Sequence, residues 1–164
     1  MDDVDRKLLE LLQDDSTTPI SVLAERVNLS PTPVWKRIQK LEQAGVIRRR
    51  VALVDPDQIG IGLIVFVGIE AQEHTPDWLA RFASALASLP EVVDAYRMAG
   101  DIDYMLRVAV PDMSEFDAFY KRLINAVPLK NVTSRFAMER VKHTTAYPLP
   151  TKAFRDRRGV DQES

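Results

Sequence analysis

What most limits the folds open to this chain is a pair of proline-led amphipathic segments, starting at Thr18-Pro19 and Ser30-Pro31, with only "VNLS" (27–30) turning between them. Ile20, Leu23, Ala24 and Val27 recur at i, i+3, i+4 and i+7, and Val34, Ile38 and Leu41 mark one face of the next segment, so both read as helices. Thr18 and Ser30 stand where N-caps belong. Pro19 and Pro31 take the first helical position, where a missing N–H costs nothing. Asn28 tolerates the left-handed backbone that a tight turn needs, and so short a link makes the two helices cross steeply. Val4, Leu8, Leu11 and Leu12 predict a further helix over 3–14, and Gly45 stops the last one.

After Gly45 the period changes. "VIRRRVALVDP" alternates and is β-branched, which predicts a connecting strand and hinge ending near the "GIG" at 60–62. The apolar run 63–69 predicts a central strand, Leu79, Phe82, Ala83 and Leu86 a helix, 92–98 and 102–110 two strands joined at Ala99-Gly100-Asp101, Phe116 to Leu123 a helix, and 132–141 a last strand. The order β-α-β-β-α-β is ferredoxin-like, so the fold class is α+β, with two helices on one face of a four-stranded antiparallel sheet. The other face then needs a cover. A second sheet is the simplest one, which predicts a dimer through this domain. The expected layout is a three-helix unit over 1–50, a connecting strand and hinge over 51–62, a sheet domain over 63–147 and a flexible tail over 148–164.

The chain carries a net charge of −2, which argues against a nucleic-acid partner only until its distribution is read. Residues 34–50 hold six cations (Lys36, Arg37, Lys40, Arg48, Arg49, Arg50) against the single acid Glu42. A local basic stripe on an otherwise acidic molecule directs phosphate contact to one face. Opposite the apolar stripe of the third helix lie Thr32, Trp35, Lys36, Gln39, Lys40 and Gln43. Lys and Gln reach base edges; Ser30 and Thr32 at the helix start offer phosphate contacts beside backbone N–H groups; Arg37 can hold a phosphate bidentately. Trp35 fits equally a packing role or an apolar contact to sugar or thymine methyl.

The stretches "DRKLLELLQDD", "LAERVNLSPTPVWKRIQKLEQAGVI", "MAGDIDYMLRVAVPDMSEFDAFYKRL" and "TSRFAMERVK" together resemble the Lrp/AsnC, or feast/famine, family of transcription regulators over residues 2 to about 147. The resemblance implies an N-terminal winged helix-turn-helix with residues 31–43 as recognition helix. It also implies a C-terminal ferredoxin-like domain for effector binding and oligomerisation, and assembly as dimers, then tetramers, octamers or larger rings on double-stranded DNA. Arg49-Arg50 replaces the Gly-Tyr of many members and adds cations for phosphates, and "VPLKNV" lacks the usual glycine before the last strand. The segments "WKR", "VALVDP", "RMAGDIDY" and "NVTSRFAMER" resemble most a subgroup of cysteine-responsive activators.

A free amino acid is a zwitterion, so its site needs an acceptor for the ammonium, donors for the carboxylate and a small apolar pocket. Asp101 and Asp103 can supply the acceptor, the turn amides at Gly100 together with Arg135 the donors, and Met113, Phe136 and Ala137 the walls, with Tyr104 beside them. The resemblance implies that these positions line an effector pocket at a subunit interface.

Other classes are narrowed by composition. With no cysteine there are no disulfides, thiolate metal sites or cysteine nucleophiles, and no cofactor or metal is expected. No run of about 18 apolar residues offers a membrane span, and the start "MDDVDRK" lacks an apolar leader, so a cytoplasmic, nucleoid-associated protein is expected. Sirohaem decarboxylases resemble the same architecture, but their chemistry calls for histidine, and His74 and His143 both fall where solvent-exposed positions are expected. A non-specific DNA packager is the other alternative. The regulator reading is preferred to both.

Overall fold

A computed structural model describes residues 1–150, which form two compact units: Met1–Ala52 together with the described residues from Lys142 on, and Leu53–Val141.

In the first unit, α1 (Asp3–Asp14) starts at a reciprocal capping box. The Asp5 amide donates to Asp2 Oδ1 at 2.9 Å, and the Asp2 amide to Asp5 Oδ2 at 3.0 Å, which satisfies two of the donors that a helix start leaves open. The next helix, α2 (Ile20–Arg26), begins one residue later than expected. Pro19 occupies the N-cap, and the Thr18 hydroxyl instead donates to the Asp15 carbonyl at 2.9 Å, closing the preceding turn. Asn28 takes φ +54°, as the tight link requires, and α3 spans Pro31–Gln43. Its Ser30 sits at the N-cap but makes no side-chain capping bond. Gly45 at φ +70° lets the Val46 and Ile47 amides turn back onto the Leu41 carbonyl at 2.9 and 3.2 Å, which ends the helix. Leu8, Leu23, Ala24, Val34 and Ile38 form the core that holds the three helices together.

The expected connecting strand does not form. Between Val46 and Gly62 the only regular element is a 3-10 turn over Asp57–Ile59. Alternation favours an extended chain, but a strand also needs a neighbour for its N–H and C=O groups, and Val51, Leu53 and Val54 remain exposed.

In the second unit β1 (Leu63–Ala71), α4 (Pro76–Ala87), β2 (Val92–Arg97), β3 (Tyr104–Val110), α5 (Met113–Ala126) and β4 (Leu129–Phe136) follow one another. The sheet order is β2-β3-β1-β4, antiparallel throughout. Val65, Val67 and Ile69 on β1 and Leu106, Val108 and Val110 on β3 point to the face packed by Trp78 and Phe82 of α4 and Phe116, Phe119 and Leu123 of α5. By the two-residue period the opposite face carries Ile64, Phe66 and Gly68, with Met105 and Arg107, Tyr96, and Thr133 and Arg135. No helix of this unit packs there: Phe66 and Tyr96 are 38% and 57% exposed.

The last strand ends at Phe136, five residues before the expected end, and the chain rejoins the first unit from Lys142. There it forms a strap on α1: the Tyr147 amide donates to Gln13 Oε1 at 2.7 Å, Gln13 Nε2 donates to the Tyr147 carbonyl at 3.2 Å, and Arg6 Nη1 donates to the Pro150 carbonyl at 2.9 Å. The expected flexible tail, 148–164, lies outside the described residues from 151 on.

Candidate nucleic-acid interface and ligand site

On α3 the buried positions Val34, Ile38 and Leu41 leave the opposite surface to Thr32, Trp35, Lys36, Gln39, Lys40 and Gln43, which fall within about 140° of the helix circumference at 100° per residue. Thr32, Trp35, Lys36, Lys40 and Gln43 are exposed, Trp35 at 51%. Pro31 and Pro33 carry no N–H, so Thr32 provides the one amide donor among the first three helical positions, and no side chain caps it there. The side chains of Lys36, Lys40, Arg48 and Arg49 form no hydrogen bond or ion pair among the described residues.

Three expected DNA contacts are engaged elsewhere. Arg37 Nη1 lies 2.7 Å from both Asp2 Oδ2 and Asp5 Oδ1, half-buried at the start of α1, so the phosphate role expected of it gives way to an internal ion pair. Hydrogen bonds from the Asp5 amide and then from Arg37 hold the Asp2 carboxyl below the usual carboxylate range, and the two acids raise the Arg37 pKa. Gln39 Nε2 donates to Glu42 Oε2 at 2.9 Å. Arg50 donates to the Ser16 carbonyl and to Glu42, each at 3.2 Å. Neither is a free reading or phosphate-holding group in this arrangement. Among the expected arginine contacts, Arg49 remains available.

The expected effector residues do not meet within one chain. Gly100, at φ +130°, and Asp101 lie in the β2–β3 turn, next to the start of β3, whereas Phe136 at the end of β4, Ala137 after it and Met113 past the end of β3 lie at the opposite end of the sheet. Tyr104 and Val110 span that length, about 20 Å at 3.3 Å per residue. Asp103 is committed to the fold: Oδ2 accepts the Ala71 amide at 2.8 Å, its amide donates to the Ile69 carbonyl at 2.8 Å, and Oδ1 is 3.6 Å from His74 Nε2. Tyr104 is a core residue rather than a pocket wall, its ring 4.7 Å from Phe82 and 5.9 Å from Trp78. Arg135 lies over the open sheet face, with Nη1 3.3 Å from where a Cβ on Gly68 would stand. Phe136 packs edge-on to Phe116 at 5.3 Å, and Met113 is 56% exposed. Ala137 lines a recess of about 380 Å³ with Ile61, Ile64, Phe66, Arg107 and Met138.

Sequence reading missed one polar cluster at the Asp103 end. Glu70 accepts from Lys130 Nζ at 2.9 Å and Asn131 Nδ2 at 3.0 Å, which lowers its pKa, and the Glu70 carboxylate raises that of Lys130. Continuing the β1 alternation two residues past Gly68 would have placed Glu70 on the open face.

Residues 1–48 match a winged helix-turn-helix DNA-binding domain, and residues 64–147 the Lrp/AsnC ligand binding domain. The chain belongs to the Lrp/AsnC family. Among its relatives, the DNA-binding transcriptional activator DecR of Escherichia coli K12 is 51% identical over 150 residues, 91% of this chain and 99% of that protein. The crystal structure of an AsnC family transcriptional regulator from Agrobacterium tumefaciens superposes with a TM-score of 0.87 at 53% identity, covering 90% of this chain and 97% of that one. A transcriptional regulator from Neisseria meningitidis, solved as a complex with L-Met, gives a TM-score of 0.85 at 32% identity, covering 90% and 96%. This Lrp/AsnC chain is thus a DNA-binding transcriptional regulator with a ligand-binding domain, and its α+β fold is that of its relatives. Among the described residues no helix is long and apolar enough to cross a membrane.

Proposed function

We propose that this regulator reads operator DNA with the exposed face of α3 and adjusts that reading to a free amino acid bound where two copies of the chain meet. The carrying observation is the separation of the two halves of the ligand site. The polar half at Gly100 and Asp101 and the apolar half at Met113, Phe136 and Ala137 lie at opposite ends of one sheet. A pocket using both must take one half from each of two chains, so ligand binding and assembly share a free energy and either alters the other. The open sheet face with Phe66 and Tyr96, and the exposed unpaired Val51, Leu53 and Val54, are surfaces a second copy would cover. A dimer building to tetramers, octamers or larger rings follows, acting on the nucleoid in the cytoplasm.

Calorimetric titration with each of the twenty amino acids, cysteine first, tests the ligand half. The expected result is a heat of binding for at least one, with a shift in assembly size. Protein that still binds its operator but gives no heat with any of them removes the effector reading.

On the DNA side, Lys36→Ala is expected to cost about 1–3 kcal/mol on operator DNA and to relax sequence choice, as loss of a base contact does. Arg49→Ala is expected to weaken all sequences alike and to lower the salt slope by about 1. Fluorescence anisotropy on operator and scrambled duplexes at several salt concentrations distinguishes them. Identical behaviour of the two variants would remove the division into base-reading and phosphate-holding residues. Footprinting separates regulator from packager: spaced pseudo-palindromic protection supports the former, uniform coating the latter. The relatives' names and the exposure of both His74 and His143 support a regulator over a decarboxylase.

A further inference from the structure

The capping box at the start of α1 does more than begin a helix. Asp2 and Asp5 satisfy each other's amides with one carboxylate oxygen each and turn the other toward Arg37 Nη1, 2.7 Å from both. Arg37 lies on the flank of α3 between its buried stripe and its exposed face, next in sequence to Lys36. Apolar packing of Val34 and Ile38 holds α3 against the core but, being non-directional, fixes its rotation about its own axis weakly. A charge-assisted contact shared between two carboxylates is directional, and it fixes where Lys36 and Lys40 point.

We propose that Asp2, Asp5 and Arg37 form a positioning clamp: the acidic N-terminus sets the rotation of the recognition helix, and Arg37 serves operator recognition without touching DNA. This rests on α3 being the DNA-reading element. Its consequence runs against simple electrostatics, in which removing an acid near a polyanion site strengthens binding.

The test uses the full chain with Asp2→Asn, Asp5→Asn, Arg37→Gln and the Asp5→Asn/Arg37→Gln pair, with Lys36→Ala as control. Asparagine still accepts hydrogen bonds at both cap positions, so the helix start survives while the clamp loses its charge. The expected result is that Asp5→Asn and Arg37→Gln each lower operator affinity about tenfold, and that the double variant is no worse than either single one. Affinity for scrambled DNA and the salt slope should stay unchanged, a pattern that loss of folding would not give. If instead Arg37→Gln weakens operator and scrambled DNA equally with a salt slope lower by about 1, while Asp5→Asn strengthens both, Arg37 is a phosphate contact and the clamp is overturned. Independent, additive losses in the double variant also overturn it. Should Asp5→Asn fail to fold, Asp2→Asn carries the comparison, since it lies at the exposed end of the clamp. Unchanged operator affinity in Lys36→Ala would remove α3 as the reading element and the clamp with it, whereas loss of affinity in Lys36→Ala without loss in Arg37→Gln and Asp5→Asn would overturn the clamp alone.

Discussion

Ile38→Ala is expected to remove about 2–5 kcal/mol from the first unit, and operator binding with it, although Ile38 faces away from the DNA-reading surface. Ile38 is 2% exposed in a core of five fully packed residues, where Val34 and Leu8 have no exposure at all. A unit this small buries a modest share of its surface and holds little stability in reserve, so a cavity of three carbons is a large fraction of what keeps α3 on α1 and α2. Urea unfolding followed by far-ultraviolet circular dichroism should show an early loss of helix, and anisotropy should show weakened binding to operator and scrambled DNA alike. A midpoint within experimental error of the parent would mean that the unit draws its stability from somewhere other than this core.

The second large effect is expected at Trp78 in the other unit. Its ring is fully buried, stacks on Phe82 at 4.9 Å and lies beside Tyr104, while Nε1 donates to the Pro128 carbonyl at 2.8 Å. Trp78→Ala should destabilise the sheet domain by about 3–5 kcal/mol. Trp78→Phe keeps an aromatic ring but leaves the Pro128 carbonyl without its donor, and should cost about 1–3 kcal/mol. Thermal melts rank the two variants, and light scattering after size exclusion should find smaller assemblies for Trp78→Ala. If the phenylalanine variant is as destabilised as the alanine one, the hydrogen bond rather than the ring volume holds α4 in place.

Where the sequence carried local and complete information, the fold was legible. The helices over 3–14 and 31–43 fall where periodicity and stop signals put them, because Asn28, Pro31 and Gly45 act within one turn of the chain. What depends on a distant partner was not legible. The alternation of residues 46–55 describes an extended chain but cannot supply a neighbour, and β4 begins at Leu129 rather than 132 because its bulged register against Glu70 and Ala71 decides where pairing starts. The DNA-facing side of α3 was found from residue type and period. The partners of Arg37, Gln39 and Arg50 were not, because they are acids far away in sequence or on a neighbouring turn, which pair with the two arginines and accept a hydrogen bond from the glutamine. The effector residues came from resemblance to an assembled family, and a single chain places them at two ends of a sheet. Tyr104 belonged to the core for a reason already present in its strand: it shares the phase of Leu106, Val108 and Val110.

The peptide chain passes between its two units twice, once at Ala52–Leu53 and again at Val141–Lys142. The first unit is therefore assembled from the two ends of the polypeptide, and a gene fragment ending at the first crossing would encode a DNA-binding head without the strap on Gln13 and Arg6. A protease that cut only the exposed stretch around Val51–Val54 would divide that first unit into its two segments, with the hydrogen bonds of the strap to Gln13 and Arg6 still joining them. Cleavage there would turn a covalent connection within the head into a reversible one.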